Sequence, residues 1–292
     1  MGLTRLADND ELGNKAAHFF KSGNIMRTDE NNEVTKLTDL LPAYGNWHTP
    51  LEYDIWYDIA EEVITGYTYT DVFSKCLMLR VASWEKACRT MRLAAREPVT
   101  EEGLAIFNEL RDNSHDKYKL SKRKQKKHKF VIFLPGTNIL DKVLDYDKTK
   151  RAVAQGAVLK CHPLTAPGMV AYLKSEFGRE NVLAKKLSGH RLLDEADIVG
   201  CCTNSEMGLI ALAKGKTVYT FDLNDKLQTT YCAIYKAVWG KDDMPSTERF
   251  IRLLSAKYSG IIPYFIDNPK ERIDYYFNFW KAYPHEIPRP RK

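Results

Sequence analysis

The sequence predicts an α/β protein with a Rossmann-type parallel sheet in its second half and a helix-rich or reduced domain before it. Two observations carry that expectation. From residue 129 to about 225, short apolar runs alternate with helical patterns, which is what a parallel sheet covered on both faces produces. The preceding segment, Thr49 to Ala94, is aromatic-rich, mostly helical in period, and contains no second clean βαβ series. At 292 residues and 44% apolar composition the chain can bury a substantial core.

The alternation reads element by element. "KFVIFLPG" (Lys129–Gly136) is a strand and "YDKTKRAVAQG" (Tyr146–Gly156) a helix. "AVLKCHP" (Ala157–Pro163) is the next strand, and "PGMVAYLKSEFG" a helix opened by Pro167 and stopped by Gly178. "NVLAKKL" (Asn181–Leu187) reads as a third strand, "GHRLLDEAD" as a short helix, and "IVGCCT" (Ile198–Thr203) as a fourth strand. "NSEMGLIALAKG" is a helix ending at Gly215, and "TVYTFDL" (Thr217–Leu223) a fifth strand. Three helical patterns follow, "TTYCAIYKAVWG", "STERFIRLLSAKYSG" and "PKERIDYYFNFWKAY". The expected organisation is a first domain at 1–116, a basic linker at 117–128, a Rossmann-like domain at 129–225, and C-terminal helices at 226–292 that pack back.

Charge is concentrated. "KYKLSKRKQKKHKF" (Lys117–Phe130) holds eight Lys/Arg and no acid, more than the whole chain's formal net charge of +6, so the remainder is net acidic. Lys122, Arg123, Lys124, Lys126 and Lys127 either face water as a linker or contact phosphates. The start, "MGLTRLADNDELGN", has no apolar signal core, and no window approaches the roughly 20 apolar residues of a membrane helix, so a cytoplasmic protein without a membrane span is expected. The six cysteines form no C-x-x-C pair and read as reduced packing thiols.

Ligands of doubly wound sheets bind outside the carboxyl ends of the strands, beside helix N-termini. That rule gathers Gly136, Thr137 and Asn138, His162 and Pro163, and Thr203, Asn204 and Ser205 on one edge. A helix N-terminus presents unpaired N–H groups and partial positive charge, which suit a phosphate. Thr203 or Ser205 also suffices as a plain N-cap, and a histidine at a strand end as a structural hydrogen-bonder. No G-x-G-x-x-G follows a strand, no G-x-x-x-x-G-K-[ST] occurs, and no His/Cys/Asp spacing makes a metal site. Asp145 and Asp147 form an Asp-x-Asp, but at a helix start, where acids belong electrostatically.

"KCHP", followed about forty residues later by "EADIVGCCTNSEMGLIALAKGKTVYTFD", resembles the donor-binding half of glycosyltransferases with the two-Rossmann GT-B architecture, in particular their sialyl- and Kdo-transferase-like branches. The resemblance implies that His162 contacts the nucleotide-sugar, that Pro163 shapes its turn, and that Thr203, Asn204 and Ser205 hold the phosphate leaving group. Where many members of that group carry a ribose-binding Glu before an Ala-Leu pair, this chain has Ile210. The implied activity is metal-independent sugar transfer from a nucleotide-sugar co-substrate, with no other cofactor. "TEEG" at Thr100–Gly103 is similar to the acidic motif that supplies the general base in some sialyltransferases, and it is also an ordinary helix start. Glu101, Glu102, Asp54 and Asp58 are the candidates for that base. The basic run favours DNA as acceptor and partner, through a hydroxymethylated base extracted from the stack. Two rival readings stand beside it: a CMP-sugar transferase acting on capsule or lipopolysaccharide, and a non-catalytic nucleic-acid-binding protein on a degenerate Rossmann scaffold.

Overall fold

The computed structural model describes residues 26–28, 34–36, 57–59, 64–73, 75–81, 84–114, 116, 126–223, 227–240, 244–263 and 265–282. The chain divides into two compact units, residues 1–106 with 251–292, and residues 107–250. In chain order the first strands are β1 (Met26–Thr28), β2 (Val34–Lys36), β3 (Tyr57–Ile59), β4 (Ile64–Val72) and β5 (Cys76–Val81). Helices α1 (Trp84–Ala94) and α2 (Glu101–Asn113) follow. Then come β6 (Phe130–Phe133), α3 (Thr137–Val143), α4 (Tyr146–Ala154), β7 (Val158–Lys160) and α5 (Pro167–Phe177). Next are β8 (Val182–Leu183), α6 (Gly189–Glu195), β9 (Ile198–Cys201), α7 (Glu206–Ala213), β10 (Thr217–Thr220) and α8 (Thr230–Trp239). The last described elements are α9 (Thr247–Ser255), β11 (Ile261–Pro263) and α10 (Pro269–Ala282).

In the unit of residues 107–250, five parallel strands lie in the order β10-β9-β6-β7-β8. The chain winds outward from β6 through β7 to β8, then returns past its own start to place β9 and β10 on the other side. That is the doubly wound order, with its topological switch point between β6 and β9. Register makes the strand ends level: Phe133 pairs with Lys160 on one side and with Cys201 on the other, and Cys201 pairs with Thr220. One core cluster of this unit holds Ile132, Leu140, Leu159, Leu173 and Phe221. The third strand, expected over Asn181–Leu187, contracts to Val182–Leu183, because a 3-10 turn precedes it and Leu187 N–H turns back to the Ala184 carbonyl at 3.1 Å.

The first half departs from the expected helical period over Thr49–Ala94. Among the described residues there, Trp84–Ala94 is a helix, while Ile64–Val72 and Cys76–Val81 are antiparallel strands. "ITGYTYTDV" sets Thr and Tyr two residues apart, the chemistry of a pleated surface rather than a helical stripe. The sheet of this unit runs β11-β5-β4-β3, so a strand from the far C-terminal part completes a sheet begun early in the chain. No helix among the described residues is long and apolar enough to cross a membrane.

Candidate functional site

At the carboxyl edge of the parallel sheet, the segments following β7, β6 and β9 emerge side by side from level strand ends. With strands about 5 Å apart, β7 and β9 stand about 10 Å from one another across β6. Gly136 and Thr137, His162 and Pro163, and Thr203, Asn204 and Ser205 all lie on this edge, flanking the switch point. The Asn138 side chain lies outside the described residues.

The loop after β7 is internally bonded. Leu164 N–H donates to His162 Nδ1 at 3.2 Å and Thr165 N–H to the His162 carbonyl at 2.9 Å. With Nδ1 accepting, the neutral ring carries its proton on Nε2, which makes that nitrogen a donor. Thr137 Oγ1 accepts Ala166 N–H at 2.9 Å, so Thr137 ties the β6 and β7 loops together. Gly136 is the N-cap of α3, its carbonyl accepting Ile139 N–H and Leu140 N–H.

Across the switch point, Ser205 is the N-cap of α7 and its Oγ accepts Met207 N–H at 3.2 Å. The backbone carbonyl of Ser205 is held by the buried Tyr235 hydroxyl at 2.9 Å. Asn204 Oδ1 is buried with no hydrogen-bond partner. Thr203 is already engaged: its N–H reaches both oxygens of Asp222 at 3.0 Å, and its hydroxyl reaches Oδ1 at 3.2 Å. Asp222 follows β10, the strand beside β9, so the level register brings it to Thr203. The sequence reading missed this residue, although its place after the fifth strand signalled the same edge. At the position where the resembled enzymes carry a ribose acid, Ile210 is buried, and α7 is apolar and buried from Gly208 to Ala213. Glu206, in its first turn, accepts the Tyr231 hydroxyl at 2.8 Å.

A second cluster of this unit went unread in the sequence. The Asp116 carboxylate accepts Ser188 Oγ at 2.5 Å, Gly189 N–H at 3.0 Å and His190 N–H at 3.3 Å, satisfying the start of α6. His190 Nδ1 lies 3.3 Å from Ser114 Oγ, and burial holds this imidazole below its ordinary pKa, against the pull of Glu206 and Asp116. Nearby, Lys160 is buried and its ammonium donates to the main-chain carbonyls of Cys161 and Lys185.

The proposed general bases separate. Asp54 lies outside the described residues, and of Asp58 only the backbone is described, within β3. Glu101 is exposed at the start of α2. Glu102 takes Nε of Arg272 at 3.0 Å, while the rest of that buried guanidinium bonds the carbonyls of Ile261 and Leu254. Gly103 faces Ser255, where a Cβ would collide with the serine. Glu102 and Gly103 therefore have a packing role in the unit of residues 1–106 and 251–292.

Lys126 and Lys127 are exposed just before β6, hence at the amino edge of the sheet, opposite His162; Lys122, Arg123 and Lys124 lie outside the described residues. Asp145 caps α4, accepting Lys148 N–H at 2.8 Å. All six cysteines are buried free thiols, and burial raises Cys161, Cys201 (to about 12), Cys202 and Cys232 above the ordinary thiol range, which keeps them protonated and unreactive. Among the described residues no group of three or more His, Cys, Asp or Glu is placed to hold a metal ion.

No protein-family model matches the chain, and no curated protein matches it. Among solved structures it is similar to KpsC of Thermosulfurimonas dismutans, a beta Kdo 2,7 transferase. The identity is 16% over 73% of this chain and 77% of that one, with a TM-score of 0.43. The α/β architecture described above stands on the chain's own topology.

Proposed function

We propose that the chain is a glycosyltransferase that takes its sugar from a nucleotide-sugar and holds the departing phosphate at the carboxyl edge of the parallel sheet. One observation carries this reading: His162, as an Nε2–H donor, and the Ser205-capped start of α7 flank the switch point of a doubly wound sheet. Sugar transfer leaves negative charge on the phosphate as the anomeric bond breaks, and fixed N–H donors with a helix N-terminus stabilise that charge without a cation. Pro163 shapes the histidine turn, and Asn204 and Ser205 offer polar groups on the opposite side. Thr203 acts through Asp222, as a strut for the β9 loop. The acceptor supplies a hydroxyl; a hydroxymethylated base in DNA is the acceptor we put forward, on the charge of the basic run that includes Lys122, Arg123, Lys124, Lys126 and Lys127, of which Lys126 and Lys127 stand at the amino edge rather than beside His162.

The test begins with a thermal-shift screen of UDP-, CMP- and GDP-sugars, in which a ligand at about 100 times its Kd adds about 2.7 kcal/mol of apparent stability. His162→Ala and Ser205→Ala are expected to weaken the responding donor while leaving the fold intact; unchanged affinity in both overturns the site. Radiolabelled donor is then offered to hydroxymethylated duplex and to carbohydrate acceptors, with and without EDTA. Turnover is expected to survive EDTA. Incorporation into carbohydrate alone defeats the DNA acceptor and favours the capsule or lipopolysaccharide enzyme, and no transfer with any donor leaves a binding protein.

A further inference from the structure

Lys160 ends β7 with 3% of its surface exposed, although lysines are almost never fully buried without a partner. Its Nζ donates to the carbonyl of Cys161 at 2.7 Å and to that of Lys185 at 2.9 Å. Lys185 in turn sends its own Nζ to the Thr165 carbonyl at 2.9 Å. Two ammonium groups thus lace the loop after β7 to the turn after β8. Drawing the Cys161 carbonyl toward Lys160 turns the opposite end of that planar trans peptide, the His162 N–H, the other way. At its far end the same loop is pinned by Thr137 Oγ1 on Ala166 N–H. An apolar residue would fill a strand end without desolvating an ammonium, so packing alone does not account for a lysine here.

We infer that Lys160 is the positioning residue of the phosphate site: it orients the Cys161–Ala166 loop that carries His162 and sets a positive charge beside it. The inference rests on the donor-phosphate reading of His162. The groups around the ammonium are the Asp116 carboxylate, which favours the charged form, and the Cys161 thiol, which does so only once ionised, with Lys174 and Lys185 also close to Cys161. Burial outweighs them and brings Lys160 down to about 8. Its charge therefore fades between neutral and mildly alkaline pH. A nucleotide's phosphate, with its second ionisation near pH 6, is fully charged throughout that window.

Two readouts on the full-length chain test this. In the unliganded protein, Lys160→Met is expected to speed amide exchange at Leu164 and Ala166 by about tenfold or more, while Val131–Phe133 stay protected. Equal protection at Leu164 and Ala166 overturns the positioning role. CMP and UDP are titrated from about pH 7 to about pH 9.5; wild-type affinity is expected to fall about tenfold, and the variant to begin about tenfold weaker with a flat profile. A flat wild-type profile, or a variant that falls in parallel with it, overturns the charge role. Where Lys160→Met does not fold, Lys160→Gln carries the same measurements, keeping a donor without the charge. If the wild type binds neither nucleotide, the donor reading fails and the exchange data alone decide whether Lys160 orders the loop.

Discussion

His190 illustrates how a single titratable side chain couples the sheet edge to pH. It lies within α6, whose first N–H groups are taken by Asp116, and burial keeps its imidazole neutral. Because its folded pKa is depressed, the unfolded chain takes up a proton first as pH falls through about 6.5. The stability tied to the neutral ring is therefore complete above that pH and is lost below it. We expect the loss of unfolding free energy between pH about 7.5 and about 5.5 to be smaller in His190→Gln than in the wild type, measured by urea denaturation at both pH values. An identical loss would show that other groups carry the acid sensitivity. Asp222 is the residue-scale counterpart at the end of β10: three hydrogen bonds to Thr203 hold the β9 loop in place.

At the scale of elements, α7 is tightly constrained. It is buried from Gly208 to Ala213, and it approaches β9 and α8 so closely that a Cβ at Gly208 would meet Tyr235 Oη and Cys201 Sγ. The Tyr235 hydroxyl also holds the Ser205 carbonyl, so displacing it disturbs the start of the helix. Gly208→Ala should cost about 1–3 kcal/mol of stability by overpacking. It should also weaken nucleotide binding, because the N-cap moves with the ring. Chemical denaturation and donor titration of the same variant check both parts; a loss of stability with unchanged nucleotide affinity would separate Tyr235 from the site. The glycine in "NSEMG" thus admits the tyrosine, and no periodicity argument reveals this, because the partner lies 27 residues further on in α8.

For the molecule as a whole, the unit formed by residues 1–106 and 251–292 depends on segments distant in sequence. β11 pairs with β5 through Ile261–Met78 and Ile262–Leu77, and Trp280, Tyr276 and Ile273 are buried in the same unit. Arg272 is buried and bonds two carbonyls there, while its ion-pair partner Glu102 is 38% exposed, so the pair itself contributes about 1 kcal/mol or less. A chain ending after Phe250 is expected to lose amide protection in Leu77–Leu79, with β5 left as an open edge, while Val131–Phe133 and Val199–Cys201 keep theirs. Retained protection in β5 would show that the early strands fold without the C-terminal segment.

The sequence by itself determined the doubly wound half: near-continuous apolar strands can be satisfied only by a sheet covered on both faces, and Pro167, Gly178 and Gly215 mark helix boundaries through backbone chemistry alone. It also determined that Gly136, His162 and Ser205 share an edge, because parallel strands must all end on the same side. Tertiary structure decided what sequence spacing cannot carry. The Thr and Tyr alternation of Ile64–Val72 was outweighed by an aromatic-rich helical period until β5 and β11 paired with it. Thr203 was assigned to a ligand because its acid, Asp222, arrives from another strand, and Lys160 read as part of an apolar strand because its carbonyl partners include Lys185 across the β8 turn. Glu102 became a structural ion pair only once Arg272 reached it from 170 residues away. In each case the deciding term is a hydrogen bond or desolvation energy set by a distant group, and such energies depend on burial and geometry that exist only after the chain has folded.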